Sequence, residues 1–465
     1  MKDQSLTSKL TQSVFSYCCR SEELHQTLKP GGKEMKAKRL AAVLMSGALA
    51  AGTLAGCGGG GNSSGGEGGD SGSGKIELEF FTQKREAADT FEKIITQFNE
   101  SQDEIKVTQN IVPDSTSVLM SRAATGDLPD IIQVGGMQDS NTMQFMKEGH
   151  FLDISGMECL GQVVDDYQEA IKFKGKNYVV PISANFSGVY YNKDKFEDKG
   201  YQVPETYDEL MELAEKMKKD GETPFLFPDK DPWTLVQCWE DNIDGSARGG
   251  RKPVYMDIAN GETTFQDDEL FAETLQKVVD IHEYGQGDTL ALGYDQAISD
   301  FATGKACMFM QGIWALPSIK KANPDMNVGM FSFPSNSGDT KVSMGIDVNL
   351  AISAKCANAE AAKKFVEFAA SKDMVQLYVD NDYSLPCMKD VTAKIPDAQE
   401  IVDLVEDGRG ALQVTALPKA VSDERQNTIQ KVIMPDEGED IDTFLTNLTE
   451  TFMENKDEFL ELYGE

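Results

Sequence analysis

An α/β protein made of two doubly wound blocks is what this sequence predicts, on three observations. The chain has 465 residues, too many for one ordinary domain, since domains usually run to roughly 100–200 residues. From Lys75 onward, strand-like and helix-like periodicities alternate. The same alternation starts again near Gly188. Strands alternating with helices mark an open sheet covered on its faces by helices.

In the first block, Ile76, Leu78 and Phe80 alternate with polar residues, as a half-buried strand does. Phe91, Ile94, Ile95 and Phe98 recur at helical spacing. Ile105 to Ile111 reads as a second strand, Leu119 to Thr125 as a helix, and Ile131 to Val134 as a short apolar strand before Gly135-Gly136. In the second block, Val189-Tyr190-Tyr191 is a strand, and Thr206-Tyr207-Asp208-Glu209 is a capping box. Leu210, Leu213, Ala214 and Met217 form the face of the helix that follows, with Gly221 suited to its stop. Leu270 to Ile281 is helical, Ile298 to Thr303 ends a helix capped by Gly304, and Cys307 to Met310 is a strand. Asn358 opens a helix with the inner face Ala361, Ala362, Phe365, Val366 and Ala369, and Ile441 to Leu462 is helical.

Ahead of these blocks stands an address. Lys36, Lys38 and Arg39 precede an apolar run from Leu40 to Leu54, too short to span a bilayer comfortably. Leu54-Ala55-Gly56-Cys57 follows and resembles the lipobox of bacterial lipoproteins, in which the cysteine is acylated and becomes the new N-terminus. Residues 58–74 are dominated by Gly and Ser and read as a flexible tether. Residues 1–34 lack periodicity and read as a leader upstream of the true start at Met35, with a real extended n-region as the alternative. The expected location is the outer face of the cytoplasmic membrane.

Charge excludes several functions. The chain carries 77 acidic against 44 basic residues, a net charge of −33. Residues 1–56 hold a net +4, so the body from Cys57 carries −37. Nucleic acid and anionic membrane surfaces both need clustered Lys and Arg, so neither is an expected partner. With three His, and His282-Glu283 lacking a second His four residues on, a zincin site is absent. Thr303-Gly304-Lys305 lacks the Walker spacing, and there is no GxSxG elbow. Glu240, Asn242, Asp244 and Gly245 imitate the start of a calcium loop, but Arg251 occupies the twelfth position, where Glu is required. No cofactor or metal is expected. Beyond Cys57, the five cysteines Cys159, Cys238, Cys307, Cys356 and Cys387 read mainly as buried thiols, with one or two disulfides as the alternative.

All three tryptophans, Trp233, Trp239 and Trp314, fall in the second block. Trp233 follows Pro232 in what reads as a loop, and Trp314 follows a Gln311-Gly312 break after an apolar strand. Ligands of open α/β sheets bind beyond the carboxyl ends of strands, where an indole offers a flat face to the C–H groups of a sugar. The competing reading for each Trp is core or loop packing.

A set of ordered motifs spans nearly all of residues 75–465: Phe98-Asn99-Glu100; Gly126-Asp127-Leu128-Pro129-Asp130-Ile131; Gly188-Val189-Tyr190-Tyr191-Asn192-Lys193-Asp194; Pro204-Glu205-Thr206-Tyr207-Asp208-Glu209-Leu210; Phe301-Ala302-Thr303-Gly304-Lys305-Ala306-Cys307-Met308 with Gly312-Ile313-Trp314; and Ala361-Ala362-Lys363-Lys364-Phe365-Val366-Glu367-Phe368. In these the chain resembles the sugar-binding lipoproteins of bacterial ABC importers, extracellular solute-binding family 1, distantly related to maltose-binding protein. The resemblance implies two doubly wound α/β lobes of the type II periplasmic-binding kind, joined by hinge crossings, with the ligand in the cleft between them. It implies an N-terminal lobe from residues 75–184 and 347–390 and a C-terminal lobe from 188–343 and 395–465. It places ligand contacts at Phe81, Thr82 and Gln83, at Gly135, Gly136 and Met137, at Asn185, at Trp314, and at Gly345, Ile346 and Asp347. Trp233 joins them from its loop context. Asn185 stands where relatives carry Glu.

The expected function is non-catalytic: a monomeric, membrane-anchored receptor that captures a mono- or oligosaccharide and delivers it to an ABC permease. One alternative is the same receptor for a polyamine or other cation, suggested by the acidic body and by Asp229, Asp231 and Asp347. The other is a secreted carbohydrate-active enzyme, since two facing carboxylates are all a glycosidase needs.

Overall fold

The computed structural model describes residues 74–112, 115–434 and 438–464. The leader, the signal-like segment, Cys57 and nearly all of the tether lie outside these residues. The body is mixed α/β. Strands β1 (Ile76–Phe81), β2 (Ile105–Asn110) and β3 (Ile131–Val134) pair in parallel in the order β2-β1-β3, with helices Ala88–Ser101 and Ser115–Thr125 as crossovers. A small hairpin of β4 (Lys172–Phe173) and β5 (Lys176–Asn177) leads into β6 (Val179–Asn192). The second block follows with β7 (Phe225–Leu226), β8 (Met308–Gly312) and β9 (Val328–Phe331). β10 (Val342–Ile352) returns to the first block, and the short β11 (Leu385–Pro386) and β12 (Gly410–Leu412) come last.

Two long strands connect the blocks. The first half of β6 pairs antiparallel with β10, through Val179↔Ala351 to Phe186↔Met344. Its second half, from Ser187, pairs instead with β8 on one side and β9 on the other. β10 in turn pairs with β12 at Val342 to Met344 and with β3 at Asn349 to Ile352. The register of β10 on β6 shifts on either side of Val348, a bulge that bends the strand. The fold is therefore two α/β lobes joined by shared strands, with the crossings near residues 185–188 and 343–347.

Alternation along the strands decides the cores. In the second block Val189, Met308, Met310 and Phe331 point to one hydrophobic cluster, while Tyr190, Phe309 and Met330 point to the other, which is continuous with the first block. Helix Ala88–Ser101 buries Phe91, Ile94, Ile95 and Phe98 as its spacing predicts, with the Phe91 ring 5.0 Å from that of Phe80 and tilted by 53°, and Phe98 edge-on to Phe365 at 5.2 Å. Each such side chain contributes about 1.5–3 kcal/mol on burial. Helix Ala359–Ala369 buries the five residues expected of it.

Local signals mostly hold. Thr206 caps helix Tyr207–Lys219 by accepting from the Glu209 amide at 3.3 Å, and Glu209 reaches back to the Glu205 amide at 2.8 Å. Two expectations need correction. Ile441 to Leu462 is not one helix: it breaks at Asn455 into Ile441–Glu454 and Lys456–Tyr463, and the Asn455 amide side chain donates to the Thr451 carbonyl at 2.8 Å, so the side chain competes with the backbone. Trp233 is not in a loop: helix begins at Pro232 and runs on through a π-helical stretch, Thr234–Glu240, into Asp241–Arg248. Proline at the first helical position, behind an Asp, is itself a start signal, because its missing N–H would have had no partner there. The five described cysteines are free thiols, four of them buried.

Candidate functional site

A cleft of about 950 Å³ opens between the lobes. One wall is the carboxyl end of β1 with the turn after β3. The floor is the two crossing strands, at Asn185 and Ser187 and at Ser343 to Asp347. The opposite wall is the helix from Trp233 to Asp241, with Arg251, Tyr255 and Arg425 behind it.

The first wall is organised by one buried side chain. The Gln133 amide oxygen on β3 accepts from the Thr82 hydroxyl at 3.2 Å and from the backbone N–H groups of Gln83 and Lys84 at 3.0 and 3.1 Å. This pulls Thr82 into the interior and turns Gln83 toward the cleft. Phe81 and Thr82 are wholly buried and Met137 nearly so, so these three stand behind the lining rather than in it. Gln83, Gly135, Gly136, Asn185, Trp233, Trp314, Gly345, Ile346 and Asp347 line the cleft. Close approach explains Gly136: a Cβ there would lie 2.3 Å from the Ile346 carbonyl oxygen.

Lys84 is buried and donates to Asp347 and, at 3.0 Å, to Asp382. Burial alone would depress its ammonium pKa, but the carboxylates of Asp347 and Asp382 outweigh it and hold the group well above the usual range. Burial pushes Asp382 up to about 6, against the pull of Lys84. The ion cluster joins the end of β1, the bulge of β10 and helix Lys372–Asp382.

The second wall carries aromatics and a guanidinium clamp. Trp233 and Trp314 stand 6.4 Å apart at 48°, and Tyr294 meets Trp233 edge-on at 5.0 Å. Trp314 lies in the turn after β8, folded over Gly312, where a Cβ would come within 2.0 Å of the indole. Trp239 is fully buried against Phe225 and Phe227 and is a core residue. One oxygen of Asp241 accepts from both Arg251 and Arg425. Arg425 also bonds Glu240 at 2.9 Å, and Arg251 bonds Asp244 at 2.6 Å. Burial would raise the Asp241 pKa, but the two guanidiniums outweigh it and keep the carboxyl below its ordinary range, so it is ionised. The segment that imitates a calcium loop is thus occupied by arginines. Among the described residues, no group of three or more His, Cys, Asp or Glu side chains could hold a metal.

Sequence reasoning missed Lys84, Gln237, Asp241, Arg251, Tyr255 and Arg425. Gln237 and Asp241 were within reach, since Trp233, Gln237 and Asp241 are four residues apart once the helix start at Pro232 is read. Arg425 was not, because 184 residues separate it from Asp241.

The family model of bacterial extracellular solute-binding proteins matches residues 83–376. The Multiple sugar-binding protein of Streptococcus mutans is 34% identical over 323 residues, covering 68% of this chain and 76% of that protein. Among solved structures, SBP RafE in complex with raffinose superposes with a TM-score of 0.72 at 28% identity, covering 82% of this chain and 100% of that one. The apo-form of RafE from Streptococcus pneumoniae gives 0.68 at 27% identity, covering 82% and 98%. These relatives are binding proteins rather than enzymes. With a family model spanning more than half its length, two lobes on shared strands and a polar, tryptophan-walled cleft between them, the chain belongs to the bacterial extracellular solute-binding proteins.

Proposed function

We propose that the protein is a lipid-anchored receptor that captures a neutral mono- or oligosaccharide in this cleft and hands it to an ABC-type permease. The observation that carries the reading is the second wall: two tilted indoles beside fixed hydrogen-bonding groups whose charges are already matched. Indole faces pack on sugar C–H groups, and the polar groups around them orient hydroxyls. A receptor with raffinose and a multiple sugar-binding protein are similar to this chain over most of its body, which supports the sugar. Ligand touching both walls would favour the closed arrangement over the open one by its extra contacts, and the closed form is what a permease would read. Residues 75–184 with 347–390 and 188–343 with 395–465 are the bodies that would move. Acylation of Cys57 would hold the receptor at the membrane.

The three acids that suggested a cationic ligand have partners. Asp229 is buried on His282 at 3.1 Å, Asp231 accepts from the Tyr294 amide at 2.8 Å, and Asp347 holds Lys84. Only Asp347 of the three lines the cleft. The test is calorimetric titration of residues 75–465 with a sugar panel and with spermidine, at low and high salt. Salt shortens the screening length from about 10 Å at 0.1 M to about 3 Å at 1 M. A sugar should bind with nearly unchanged affinity across that range; spermidine binding alone, or a tenfold loss at high salt, would overturn the reading.

A further inference from the structure

Along the helix from Trp233 to Asp241, exposure repeats every four residues. Trp233, Gln237 and Asp241 are accessible, and the six residues between them are buried. All three line the cleft. In an ordinary α-helix, residues four apart drift sideways, because a turn takes 3.6 residues. Thr234–Glu240 is wound as a π-helix, and it is the exposure pattern that puts the three side chains on one edge of the segment. π-Helical turns are rare and concentrate at functional sites. The edge is long: eight residues at about 1.5 Å each span at most about 12 Å, roughly two to three linked pyranose rings.

The two ends of the edge differ in chemistry. Trp233 is held by Tyr294 and faces Trp314, so this end offers apolar surface. Asp241 is held at one oxygen by Arg251 and Arg425, and its other oxygen takes no hydrogen bond among the described residues. A carboxylate fixed in this way accepts only, and suits a pair of neighbouring hydroxyls. Its charge is already paired with guanidiniums, so it does not call for a cation.

We propose that Trp233, Gln237 and Asp241 form a measuring edge, which selects an oligosaccharide of at least two rings by stacking one ring at Trp233 and binding the hydroxyls of a distal ring at Asp241. This rests on the sugar-binding reading and adds chain length and polarity to it. Asp241 is a specificity-determining residue that acts through direct contact.

The test uses two sugar series of one to four rings: galactose, melibiose, raffinose and stachyose, and glucose through maltotetraose. Each is titrated against the wild type, Trp233→Ala, Gln237→Ala and Asp241→Asn. In the wild type, affinity should rise with each ring up to two or three and then level off. With a trisaccharide, Trp233→Ala and Asp241→Asn should each lose about tenfold or more. With a monosaccharide, which fills one end, only one of the two substitutions should matter. Gln237 is exposed and uncharged, so Gln237→Ala keeps the fold and should weaken di- and trisaccharides more than monosaccharides. Equal losses at every length for all variants, or undiminished trisaccharide affinity in a folded Asp241→Asn, would overturn the proposal while leaving sugar binding intact. If no sugar in either series binds the wild type, it is the sugar-binding reading that falls.

Discussion

Trp314 shows how one side chain serves two purposes. It is half-buried and packs against both hydrophobic clusters, yet it also lines the cleft. Removing it should therefore cost both affinity and some stability. Trp314→Ala should weaken the best sugar by about 1.5–4 kcal/mol, the range of a buried aromatic anchor. Stability should fall by less than the 3–5 kcal/mol typical of a fully enclosed Trp. Calorimetric affinity and a denaturant midpoint on the same sample separate the two; a large loss of stability with unchanged affinity would make Trp314 a packing residue only. The strand-exit position of Trp314 was legible in sequence. Its contact with Trp233 was not, since 81 positions separate them and nothing local links them.

At the scale of elements, the crossing strands depend on glycine. Gly188 sits where β6 leaves β10 and takes up β8 and β9. A Cβ there would lie 2.6 Å from the Phe331 carbonyl oxygen and 2.8 Å from Ile401. Backbone cannot yield as a flexible side chain can, so Gly188→Ala should destabilise by about 1–3 kcal/mol, as overpacking does. Urea unfolding measures this, and an unchanged midpoint would show that β6 has room to shift. Most elements were readable from periodicity, because an amphipathic helix such as Ala88–Ser101 writes its inner face into residue spacing. The helix after Pro232 was misread because turn-forming residues around Trp233 masked a proline at its first turn. The break at Asn455 was missed because the apolar spacing continues through it.

For the whole molecule, the proposed anchoring and the proposed capture of a sugar can be tested separately. No described helix is long and apolar enough to cross a membrane. If Cys57 is the anchor, Cys57→Ser should release the protein to the medium without changing sugar affinity. Labelled palmitate incorporated equally by the variant would place the anchor elsewhere. Independence is expected because seventeen residues, ten of them Gly and four Ser, separate Cys57 from Lys75 in the sequence, and the cleft lies wholly beyond them.

Local order and composition determined a good deal from the sequence alone: the two α/β blocks, the motifs of the family, the inner faces of the helices, and, through those motifs and the context of Trp233, nine of the cleft's lining residues. These follow from spacings of two to eight residues, or from motifs contiguous in the chain. Tertiary structure decided the rest. It placed Phe81, Thr82 and Met137 behind the wall, because Gln133 and the core claim the space on their side of β1 and β3. It matched Lys84 to Asp347 and Asp382, and Asp241 to Arg425, across 263, 298 and 184 positions. Charge pairing over such separations depends on which surfaces the fold brings into contact, and a linear pattern of acids and bases does not hold that information.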